Sequence, residues 1–76
     1  MEAIPVPSHI HYELLLQLLE KKTILAVDYN TKQHAKTREI IVTLRKALAL
    51  QKQLEESCNL ANLPIEYQWS LNETEK

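Results

Sequence analysis

The chain has 76 residues, a net charge of −1, a single cysteine and no glycine. This length allows one domain, 1–76, with a marginal core. The missing glycine excludes phosphate-cradling loops and dinucleotide fingerprints, and one thiol excludes an internal disulfide and points to a reducing, cytoplasmic setting. The hydrophobic fraction, 45%, is that of a folded protein. No segment is apolar over enough residues to span a bilayer. The opening MEAIPVPSH carries neither a basic region nor an apolar signal core.

In chain order, Pro5 and Pro7 exclude helix from the first seven residues and favour an extended arm. Ser8 follows as a helix cap, and the first helix is expected from about His9 to about Val27. On its wheel Leu14, Leu18 and Leu25 share one side. Leu15 and Leu19 lie next to it, and Tyr12 and Leu16 extend it. That sector is close to half the circumference, more than one partner helix covers. Leu15, Leu16 and Leu19 are therefore candidate interface residues, and a homodimer is the expected way to bury them.

Asp28-Tyr29-Asn30 breaks the pattern, with Asn30 placed to cap a second helix and Gln33 to return the contact. The second helix is expected over 31–61. Ile40, Ile41, Leu44, Ala47, Leu48, Leu54 and Cys58 fall on one side, and Gln51 lies in the seam. A polar residue there either sets helix register or reaches water at the edge. So short a connection makes the two helices an antiparallel hairpin, mainly α in class. The second helix overhangs by about 12 residues, near 18 Å. That overhang, with Leu50, Leu54 and Cys58, needs a cover.

Asn62-Leu63-Pro64 stops the helix, since asparagine tolerates a left-handed C-terminal conformation and proline cannot continue. Alternation of Ile65, Tyr67, Trp69 and Leu71 with polar residues predicts a short β-strand over 65–71. Its expected partner is the Ala3–Val6 arm, making a two-stranded ribbon, or else the same strand of a second copy. Tyr67 and Trp69 either seal the core or anchor an interface. Residues 73–76 read as a frayed tail.

Motifs for chemistry are sparse. His9 and His11 form a His-x-His pair, but on a helix such residues point roughly 160–200° apart and do not share a metal ion. Cys58 lacks a second cysteine nearby and sits on the apolar side, as a buried thiol does. Charge is unevenly spread. Residues 32–52 hold Lys32, Lys36, Arg38, Arg45, Lys46 and Lys52 against Glu39 alone, with acidic stretches on either side. Arg38, Arg45 and Lys52, spaced by seven, form a row able to track phosphates. No aromatic is interleaved for base stacking, and complementary packing of the chain on itself or a copy accounts for the same pattern.

Taken whole, IPVPSHIHYELLLQLLE at the start, LRKALALQKQLEESC in the middle and YQWSLN near the end resemble a family of short proteins found in cyanobacteria. The resemblance implies a cytoplasmic setting in a photosynthetic bacterium and carries over no functional residue, cofactor or activity. The leading expectation is a small non-enzymatic helical protein that works by protein–protein contact as a homodimer, with no cofactor. The alternative is nucleic-acid binding through Arg38, Arg45 and Lys52.

Overall fold

A computed structural model describes residues 2–68, 70 and 71. The order of elements is β1 (Ile4–Pro7), α1 (His9–Leu18), a π-helical stretch (Leu19–Thr23), α2 (Ile24–Ala26), α3 (Lys32–Leu60) and β2 (Ile65–Gln68). The protein is mainly helical, with one short sheet. Trp69 and residues 72–76, which include the predicted tail, lie outside the described residues.

Local chemistry explains the element ends. The Ser8 hydroxyl accepts from the amide of Ile10 at 3.4 Å and caps α1 as expected. At α3 the cap is Thr31, whose hydroxyl accepts from His34 at 3.1 Å, and not Asn30. Asn30 instead takes φ 67°, the left-handed turn conformation that asparagine tolerates. The far end of α3 closes on Asn62, at φ 61°. The amides of Asn62 and Leu63 donate to the carbonyls of Asn59 (3.1 Å) and Cys58 (2.8 Å), a Schellman closure.

The first helical arm is not the uniform helix predicted over 9–27. It ends at Ala26 and contains a π-helical stretch, in which the Ile24 amide bonds to the Leu19 carbonyl five residues back. The Thr23 hydroxyl also donates to the Leu18 carbonyl at 3.4 Å. A π-turn adds a residue and rotates the remainder of the arm about its axis. Ile24 is consequently half-buried while its neighbour Leu25 is exposed.

The two arms meet along positions spaced three and four apart. On the first arm the partly buried series is Tyr12, Leu16, Leu19 and Thr23. On α3 it is His34, Thr37, Ile41, Leu44, Leu48, Gln51, Glu55 and Cys58, a 3-4 repeat of coiled-coil type. His9 meets Glu55, and Glu20 meets Arg45. Leu14, Leu18 and Leu25, which share one side of the predicted wheel, are all at least half exposed. Ile40 and Leu54, on the apolar side predicted for the second helix, are exposed too. One partner helix covers only a narrow stripe, so a sector this wide leaves much of itself outside.

The strands pair in parallel, Ile4 with Ile65 through Pro7 with Gln68, and β2 ends sooner than the predicted 65–71. Of the overhang residues Cys58 is buried, whereas Leu50 and Leu54 are exposed. Among the described residues only Val6 and Cys58 are fully buried apolar side chains. The molecule is long and thin, 51 × 29 × 16 Å, with a radius of gyration of 16.1 Å. A compact chain of this length would have about 11 Å.

Candidate functional site

The described polar groups converge where β1 hands over to α1. Glu55, one turn from the end of the α3 seam, is the hub. Its side chain is 14% exposed, and both carboxylate oxygens accept hydrogen bonds. Oε1 accepts from the Tyr67 hydroxyl at 2.8 Å. Oε2 accepts from Gln51 Nε2 at 2.8 Å and lies 2.9 Å from His9 Nε2. A carboxylate only accepts, so that ring nitrogen carries the hydrogen. Gln51 Nε2 also donates to the Pro7 carbonyl at 2.7 Å. The rings of His9 and Tyr67 meet edge to face, 5.6 Å between centroids. One carboxylate thus ties α1, α3 and β2 together, and through Gln51 it reaches β1.

Electrostatics follow the bonding. The Gln51 amide, more than any other group, holds the Glu55 carboxyl below its ordinary range, with the Tyr67 and His9 bonds assisting and burial opposing. The Tyr67 hydroxyl is pushed up because it donates to that carboxylate, beside which a phenolate would be disfavoured. The Oε1 atom of Gln51 is buried without a hydrogen-bond partner among the described residues.

A family of unknown function, DUF5340, matches residues 1–70. The chain belongs to that family. This DUF5340 chain is also 50% identical over 72 residues to a protein of Anabaena cylindrica named "Uncharacterized 9.3 kDa protein in soluble hydrogenase 5'region". The alignment covers 95% of this chain and 88% of the relative, a cyanobacterial protein as the resemblance implied. No solved structure matches it.

The predicted site residues of this DUF5340 chain do not form one surface. Leu15 is half exposed, whereas Leu16 and Leu19 are partly buried in the seam between the arms. Tyr67 is 46% exposed with its hydroxyl held by Glu55, and Trp69 lies outside the described residues. Arg38, Arg45 and Lys52 are exposed, but Arg45 is paired with Glu20, its Nε donating at 2.9 Å. Arg38 and Arg45 line a groove of about 420 Å³ with Glu20, His34 and Ile24, to which Lys52 does not contribute. His34 meets Tyr29 edge to face at 5.1 Å. Among the described residues no group of three or more His, Cys, Asp or Glu side chains could hold a metal ion. Nor is any helix among them long and apolar enough to cross a membrane.

The sequence places Gln51 in the seam, and it is buried there rather than reaching water, whereas Glu55 is not singled out by sequence. The available signal was the 3-4 repeat itself, which runs Leu48, Gln51, Glu55, Cys58 and places two polar side chains in an otherwise apolar seam. Buried polar groups need partners, and these two find them in each other, in His9 and in the strand residues Pro7 and Tyr67.

Proposed function

We propose that this protein is a non-enzymatic, self-associating helical module, an antiparallel helical hairpin that works by protein–protein contact in a reducing cytoplasm. The occupant of its open apolar surface is a second copy. The observation that carries the reading is the exposed leucines of the first arm: Leu14, Leu15, Leu18 and Leu25 all stand half exposed or more. Leu50, Leu54 and Leu60 on α3 are open as well. Total accessible surface is 6133 Å², whereas a compact monomer of 8.9 kDa has about 4,800 Å². The excess exceeds the roughly 800 Å² per partner that a standard interface buries. The pairings of His9 with Glu55 and Glu20 with Arg45, in descending order, support the hairpin and put Leu15 level with Leu50. The buried, unpaired Cys58 fits a reducing compartment.

Sedimentation equilibrium at micromolar concentration is the test, and the expected mass is that of a dimer. Leu15→Glu should raise the dissociation constant at least about tenfold, since burying a leucine contributes ~1.5–3 kcal/mol. A stable monomer at every concentration would remove self-association altogether.

Nucleic-acid binding through Arg38, Arg45 and Lys52 is the competing reading, weakened by the pairing of Arg45 with Glu20. Duplex DNA or single-stranded RNA added at low salt, where phosphate contacts are strongest, should leave the sedimenting mass unchanged. A shift that disappears on reversing the three residues to glutamate would favour the row instead.

A further inference from the structure

The two edges of the small sheet are chemically unlike. The amide of Ile4 donates to the Pro64 carbonyl at 2.9 Å, and that of Ser8 donates to Gln68 at 3.3 Å. Backbone groups alternate sides along a strand, so the amides at 4, 6 and 8 point toward β2. Positions 5 and 7, which point away, are both proline and have no amide hydrogen. The outer edge of β1 is therefore closed to another strand, the usual service of proline on an edge.

The outer edge of β2 has no such block. In the same alternation Glu66 and Gln68 face β1, and Ile65 and Tyr67 turn their N–H and C=O groups outward. Among the described residues no backbone hydrogen bond outside the β1–β2 ladder uses them. A two-stranded ribbon alone is marginal in water, and an unblocked edge is a template for one more strand.

Resting on the self-association reading above, we propose that β2 is the edge through which two copies join, pairing antiparallel about Tyr67 into one sheet with two strands from each copy. A two-fold axis makes such a contact isologous, and this register is self-complementary. Tyr67 lies opposite Tyr67, and Glu66 of each copy lies opposite Gln68 of the other. Moving the axis to Glu66 would set two carboxylates face to face, which is destabilising. Moving it to Ile65 would run the pairing into Asn62 and Leu63, which close α3.

Two measurements on the full chain test this. In the proposed register, positions 66 and 68 form a non-hydrogen-bonded pair, whose Cα atoms lie about 4.5 Å apart and accept a disulfide. A Glu66→Cys chain mixed with a Gln68→Cys chain and mildly oxidised should yield the mixed cross-link well above random pairing. Gln68→Lys sets a lysine opposite each Glu66 and should tighten the dimer about 2- to 30-fold, while Gln68→Glu should weaken it by a similar factor. Gln33→Lys and Gln33→Glu, on the first turn of α3, give the background effect of charge alone. Random cross-linking, or Gln68 variants indistinguishable from those of Gln33, in a protein that still dimerises would overturn the edge pairing and leave self-association standing. A wild type monomeric at all concentrations would remove both.

Discussion

Replacing Glu55 with alanine is expected to lower the unfolding free energy by about 2–3 kcal/mol, within the range for hydrogen bonds to a charged group. The loss is concentrated on Gln51. His9 and Tyr67 are partly exposed and can turn to water, but Gln51 is 6% exposed and would keep only the Pro7 carbonyl as acceptor. Its Oε1 already lacks a partner, so a second unmet bond on one buried amide is costly. Urea unfolding of the two proteins at neutral pH measures the difference. A change within ~0.5 kcal/mol would mean that the knot is solvated and holds nothing together.

The same carboxylate makes stability depend on pH. Its folded pKa lies below the ordinary value of 4.5. The stabilisation it supplies is therefore complete above that value and is lost as pH falls through the lower, folded value. Wild-type stability should decline below pH 4.5 more steeply than that of Glu55→Gln, which has no proton to take up. Parallel slopes in the two proteins would assign the acid sensitivity to other carboxylates.

Val6→Asp is expected to cost about 3–5 kcal/mol, the range for an uncompensated buried charge. Val6 is 5% exposed, and with Cys58 it makes up the fully buried apolar part of the described residues. Unfolding free energies of domains begin near 5 kcal/mol, so this substitution approaches loss of the fold. The damage should start at the sheet. Amide exchange at Ile4 and Ser8, whose N–H groups bond across to β2, should lose protection first, while helical circular dichroism persists. Val6→Ala serves as the milder control, at about 1–2 kcal/mol for the methyl groups removed. If Val6→Asp melted like the wild type, the ribbon would not be part of the cooperative fold.

Local chemistry was legible in the sequence wherever it depends on a few neighbouring residues. Ser8 caps α1, and Asn62 closes α3 with positive φ, each for reasons contained in its own side chain. The span of α3 and the start of β2 follow from hydrophobic period, and burial of Cys58 from its place on the apolar side. The choice of cap at α3 went to Thr31 because the side chain one residue nearer the helix could reach the His34 amide. The π-turn left no local mark beyond Thr23 and Ile24.

Tertiary structure alone decided which of several apolar stripes turned inward. Leu14, Leu18 and Leu25 belong to an apolar sector wider than one helix covers, and a helix wheel does not say where in that sector the partner stands. With the arms meeting along a 3-4 repeat, the seam took Gln51 and Glu55 and left those leucines outside. The sense of the strand pairing is likewise a matter of where two distant segments arrive, since Ile4 and Ile65 carry no information about each other until the helices bring them together. Sequence by itself determined the order of helices and strands and the caps at Ser8 and Asn62, because those energies are local. Which surfaces meet, and which remain exposed, is set by packing between residues some 45–60 positions apart, such as His9 with Glu55 and Ile4 with Ile65.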